Sequence, residues 1–139
     1  MATNDLKGLR VLLVEDQMIV AMQIEDMLHA AGCEVVGPVG TLQAATALAH
    51  EAALDAAVLD VNLDGDKVYP VAEELQARGI PFILATGYGE STLLAKWRDQ
   101  PRLSKPFLRD HLEQLLRNVA GCSPSRVLAA NILPPSSNC

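Results

Sequence analysis

The sequence predicts an α/β fold: five parallel strands and five helices in alternation, doubly wound with strand order 2-1-3-4-5. Three observations predict it. Short, nearly uninterrupted apolar runs such as Val11-Leu12-Leu13-Val14 and Ala56-Ala57-Val58-Leu59 read as strands covered on both faces. Segments with helical spacing of apolar residues separate those runs. The composition is 50% hydrophobic but only 4% aromatic, so the interior is built from Val, Leu, Ile and Ala. A chain of 139 residues is long enough to enclose one such core.

The elements follow in order. Leu9 to Glu15 is the first strand. Ile19, Met22, Ile24, Met27 and Leu28 recur at near-helical spacing, and Gly32 stops that helix. Glu34 to Val39 is a short strand punctuated by Gly37-Pro38. Thr41 is the N-cap of a second helix over Leu42 to Glu51. Asp55 to Asp60 is the buried strand. Val68 to Arg78 is a helix ended by Gly79, and Ile80 to Ala85 is the fourth strand. Glu90 to Trp97 is a short helix. Arg102 to Lys105 is the fifth strand, and Phe107 to Val119 is amphipathic through Leu108, Leu112, Leu115, Leu116 and Val119. One domain is expected over residues 1–120. Residues 121–139, with Pro124, Pro134 and Pro135, read as a tail that carries no output domain.

Composition excludes several classes of partner. The formal net charge is −6, and no basic footprint for nucleic acid is visible. Cys33, Cys122 and Cys139 are too few and too scattered for a disulfide framework or a metal-ligand spacing, which suits a reducing compartment. There is no apolar signal core near Met1, and no run approaches the ~20 apolar residues of a membrane span. The expected location is cytoplasmic.

The chemistry lies where apolar runs end. Asp60 closes the third strand, and Glu15 and Asp16 close the first. In the order 2-1-3-4-5 these two strands are neighbours, so the three carboxylates meet at one crevice outside the carboxyl ends of the sheet. Such a cluster repels itself and calls for a hard divalent cation. Mg²⁺ on Glu15, Asp16 and Asp60, completed by the backbone carbonyl of Asn62, would leave room for a phosphoryl group, with Asp60 as nucleophile. Thr86 ends the fourth strand and Lys105, followed by Pro106, ends the fifth. A hydroxyl and an ammonium there can each meet a phosphoryl oxygen.

With these residues in place the sequence resembles the receiver domains of two-component response regulators. The match lies in Val11 to Asp16, in Val58-Leu59-Asp60-Val61-Asn62-Leu63, in Ala85-Thr86-Gly87 and in Ser104-Lys105-Pro106-Phe107, and extends over about residues 7–119. The resemblance implies a flavodoxin-like, CheY-like (βα)5 fold with Asp60 as phosphoacceptor. The donor would be a sensor histidine kinase or a histidine phosphotransfer protein. It implies Mg²⁺ at Glu15, Asp16 and Asp60, with Thr86 and Lys105 reading the phosphoryl group. The chain would be no enzyme beyond its own phosphorylation and dephosphorylation, and a monomer or weak homodimer. Pro81 to Gly89 is similar to the signature of the "FAT GUY" receivers, stand-alone alphaproteobacterial regulators often associated with HWE-type kinases, with Leu84 replacing the signature's first Phe. Typical receivers carry Tyr or Phe three residues before the lysine. Here Arg102 stands there, Tyr88 is the nearby aromatic, and an ordering of residues 87–100 on phosphorylation is the expected switch.

Rival readings are weaker. Asp60 to Gly65 imitates half of an EF-hand loop, but Val71 stands where a bidentate Glu is needed. Asp64 and Asp66 are expected to cap the third helix or line the pocket rim. Asn62 cannot be the second acid of an Asp-based phosphatase. His29, His50 and His111 have no partner at triad or ligand spacing. Met18, Met22 and Met27 read first as core and helix-face filler and second as the mark of a kinase-docking face, and Trp97 reads as a packing residue. The competing function is a phosphorylation-independent interaction module on the same fold.

Overall fold

The apolar runs become strands as expected. A computed structural model of the chain describes residues 6–63, 65–86, 102–104 and 108–120. The elements are β1 (Arg10–Val14), α1 (Met18–Ala30), β2 (Glu34–Val39), α2 (Leu42–Glu51), β3 (Ala56–Asp60), β4 (Asn62–Leu63), β5 (Asp66–Lys67), α3 (Tyr69–Ala77), β6 (Phe82–Thr86), β7 (Arg102–Ser104) and α4 (Arg109–Ala120). The main sheet has five strands, all parallel, in the order β2-β1-β3-β6-β7. Counting sheet strands only, this is the predicted 2-1-3-4-5. The expected helix over 90–97, Tyr88, the Lys105-Pro106-Phe107 segment, Asp64 and the 121–139 tail lie outside the described residues.

Alternation along the strands divides the interior into two cores. Leu12, Val14, Ala57, Leu59, Phe82 and Leu84 face α2 and α3, where they meet Ala45, Ala49, Val71, Ala72 and Leu75. Val11, Leu13, Ala56, Val58, Ile83 and Leu103 face the other way, onto Ile24 and Leu28 of α1 and Leu112 and Leu116 of α4. The small Ala45 and Ala49 let α2 lie close to the sheet. Burying each large aliphatic side chain contributes roughly 1.5–3 kcal/mol, so β1 and β3, buried throughout their inner residues, are the anchor of the site at their ends.

Helix ends follow the sequence closely. Thr41 Oγ1 accepts the Ala44 N–H at 3.2 Å, the N-cap that the threonine predicts. After α1 the Gly32 N–H donates to His29 O and the Cys33 N–H to Leu28 O, each at 3.0 Å, with Gly32 at φ 93°. That pair of bonds is a Schellman closure, and only glycine adopts its left-handed backbone without strain.

Two features depart from expectation. First, β4 and β5 form an antiparallel hairpin between β3 and α3. Asp66 pairs with Leu63 in it and caps nothing; the N-cap of α3 is Val68, with no side-chain bond. Second, Met18, Ile19 and Met22 are 76%, 74% and 56% exposed, so they are not core. The buried stripe of α1 is Ala21, Ile24 and Leu28, and Met27 is only partly buried. His50 is a surface histidine as expected, and its Nδ1 lies 2.9 Å from Glu74 Oε1, bridging α2 and α3.

Candidate functional site

Among the described residues the buried polar side chains are Glu15, Asp60 and Thr86, at 3%, 6% and 6% exposure. All three close strands of the main sheet or directly follow them. The register explains why they meet. Val14 stands beside Leu59 and Asp60 beside Ala85, so Glu15 and Asp16 emerge next to Asp60, and Thr86 emerges on its other side. The carboxylate oxygens of Glu15, Asp16 and Asp60 lie within 4.8 Å of one another, and Asp16 is the most exposed of the three.

Each acid is positioned by backbone. The Glu15 N–H donates to Val39 O at 2.9 Å, which ties the end of β1 to the end of β2. The Glu15 carboxylate accepts the Gln17 N–H at 3.0 Å. Gln17 is the N-cap of α1, so the partly positive start of that helix lies beside the acids. Asp60 Oδ1 accepts the Asn62 N–H at 3.2 Å. Thr86 Oγ1 donates to Leu103 O at 3.5 Å, a long bond that leaves the hydroxyl near the site and joins β6 to β7.

The unforeseen hairpin places Asn62. The Val68 N–H donates to Val61 O at 2.9 Å, which makes residues 61 and 68 the hydrogen-bonded pair and Asn62–Lys67 the next, non-bonded one. In that register the N–H and C=O of Asn62 both turn away from Lys67. The N–H donates to Asp60 Oδ1. The Asn62 side chain is engaged elsewhere, accepting the Gly65 N–H at 3.1 Å. The hairpin that positions Asn62 was not foreseen from the sequence. The turn signal was present in Asp64-Gly65.

Three like charges this close, two of them buried, are costly unless something positive joins them. The donor set is all oxygen: three carboxylates at two adjoining strand ends. Such a set fits a hard divalent cation and not a soft one. Lys105, expected at the same rim, lies outside the described residues.

Comparison with known proteins agrees with this geometry. Residues 11–117 match the family model of the response regulator receiver domain. The solution structure of SdrG from Sphingomonas melonis Fr1 is similar at 40% identity and a TM-score of 0.73, covering 84% of this chain and 97% of that one. SdrG has also been solved in a BeF3-activated conformation, 42% identical over 78% of this chain and 92% of that one, with a TM-score of 0.67. The receiver domain of a sensor histidine kinase from Pseudomonas aeruginosa PAO1, solved with a magnesium ion coordinated in the active site cleft, is 29% identical with a TM-score of 0.68, over 82% of this chain and 98% of that one. Among curated proteins, the transcriptional regulatory protein PdtaR of Mycobacterium tuberculosis is 30% identical over 70% of this chain, which spans about half (50%) of PdtaR. No helix among the described residues is long and apolar enough to cross a membrane. With a matched span that includes every strand end around the acid pocket, the chain belongs to the response regulator receiver domains of two-component systems.

Proposed function

We propose that this chain accepts a phosphoryl group on Asp60 from a phosphohistidine of a sensor histidine kinase or histidine phosphotransfer protein, with Mg²⁺ held by Glu15, Asp16, Asp60 and the Asn62 carbonyl. The observation that carries the reading is the burial of Glu15 and Asp60 in one cluster with Asp16, oxygens within 4.8 Å, at the ends of two adjoining strands. An Asp60 carboxylate oxygen attacks phosphorus, the phosphorus–nitrogen bond to the donor imidazole breaks, and its electron pair stays on that nitrogen. The product is an acyl phosphate on Asp60. The cation, when bound, offsets the charge of the carboxylates and of the incoming group. Asp16 and Glu15 hold it, the Asn62 N–H fixes the rotamer of Asp60, and the Thr86 hydroxyl gives up its long bond to Leu103 O to donate to a phosphoryl oxygen. Lys105 takes the role of a second donor by resemblance to the family.

The start of α1 supports the choice of a protein donor. Met18, Ile19 and Met22 present exposed apolar surface immediately after Asp16, beside the mouth of the pocket. The phosphorylated chain then signals through altered protein contacts or drains phosphoryl groups as a sink. The test uses mass spectrometry with a small phosphodonor and Mg²⁺. One phosphoryl group should add to the wild type and none to Asp60→Asn. In a second arm Ile19→Glu should slow transfer from the donor protein and leave the small donor unaffected. Absence of any phosphoryl gain under all conditions favours the interaction module that needs no phosphorylation.

A further inference from the structure

Gly40 directly follows β2, a strand that supplies no ligand, and lies against the backbone of the acid pair. A Cβ placed on it would lie 3.2 Å from Asp16 Cα, 3.4 Å from the Glu15 carbonyl oxygen and 3.7 Å from Asp16 Cβ. Its φ is not positive, unlike that of Gly37 at 101°, so backbone conformation does not demand glycine here. Space does. The chain reaches this position through an irregularity in β2. Leu12 pairs with Val36 but Val14 pairs with Val39, so two steps along β1 face three along β2. The extra residue falls at Gly37-Pro38, where a Cβ on Gly37 would meet Val39 N at 2.9 Å and Leu13 O at 3.0 Å. The bulge delivers Val39 O to the Glu15 N–H and sets Gly40 directly on the Asp16 backbone.

We infer that Gly40 is a positioning residue for the cation site: its missing Cβ lets the turn after β2 close on Asp16 and fixes where that carboxylate stands. The inference rests on the Mg²⁺ site proposed above. Gly40 itself offers no ligand. An added methyl must push the Asp16 backbone by a few tenths of an ångström, because the atoms it meets include main chain and not just a flexible side-chain tip. Mg²⁺ demands near-ideal octahedral geometry, and residues behind metal ligands typically change affinity about 10–100-fold when altered.

Calorimetric titration of MgCl2 into the metal-free chain tests this, using wild type, Gly40→Ala, Asp16→Ala and the double variant, with metal-free melting as a companion measurement. Gly40→Ala should weaken Mg²⁺ binding about tenfold and keep the metal-free melting transition of the wild type. In the Asp16→Ala background the same substitution should change nothing further, since the ligand it positions is gone. Equal affinity in wild type and Gly40→Ala overturns the inference. So does an equal loss in the Asp16→Ala background, or a collapse of the metal-free transition, which would assign Gly40 to the fold and not to the site. A wild-type chain that takes up no Mg²⁺ is a separate result: it removes the proposed cation site itself, before any variant is compared.

Discussion

At the amino end of the sheet, Arg10 meets two acids. Its backbone N–H donates to Asp55 Oδ2 at 3.0 Å, and its guanidinium lies 3.0 Å from Glu34 Oε1, with side chains 42% and 62% exposed. The same guanidinium also holds Ala53 O at 2.6 Å. At the carboxyl end of the same strands, Glu15, Asp16 and Asp60 are pressed against one another, and two of them are buried. One end pairs opposite charges in water, where the pair is worth little but harms nothing. The other gathers three carboxylates, two of them buried, an arrangement that is costly without a compensating charge and is kept where chemistry needs it. A sheet that distributes its acids this unequally shows which end is scaffold and which is site.

That contrast can be tested in order of expected effect. Mg²⁺ at a hundredfold excess over its dissociation constant should stabilise the wild type by about 2.7 kcal/mol, read as a rise in melting temperature, and the rise at the same Mg²⁺ concentration should be smaller in Asp16→Ala. Melting that ignores Mg²⁺ would remove the cation from the account. Next, Asp60→Asn should make the metal-free chain more stable by about 1–2 kcal/mol, the usual scale of a single substitution, because it deletes one of three mutually repelling charges. The amide keeps an oxygen for the Asn62 N–H. Destabilisation in urea would mean that the pocket is already neutralised from within. Smallest of all, Glu34→Gln should shift stability by less than about 1 kcal/mol, with and without Mg²⁺ alike. A larger or Mg²⁺-dependent shift would break the distinction between the two ends.

The sheet was legible because parallel strands buried on both faces need continuous apolar runs, and this chain has them in Val11–Val14, Ala56–Leu59 and Phe82–Ala85. The acid trio was legible for the same reason: a carboxylate that ends such a run must stand at the sheet's edge. The buried face of α1 was less so. Counting large apolar residues drew attention to Met18, Ile19 and Met22, whereas the stripe that packs uses the small Ala21 with Ile24 and Leu28. Hydrophobicity alone does not distinguish an exposed contact surface from a core face when both occur on one helix. The β4–β5 hairpin was missed because two-residue strands carry no periodicity, although Asp64-Gly65 signals a turn. Gly40 carried no signal at all. Its neighbours Glu15 and Asp16 are distant in sequence, and only the irregular pairing of β2 with β1 brings them together.

The central claim is that Asp60, among all the acids of this chain, becomes an acyl phosphate. Hydride trapping reads it directly: after incubation with a small phosphodonor and Mg²⁺, borohydride converts a phosphorylated aspartate to homoserine, and peptide mapping locates it. Homoserine should be found at position 60 alone, and disappear when Mg²⁺ is chelated beforehand. Homoserine at another acid, or none in the peptide that carries Asp60, would contradict it.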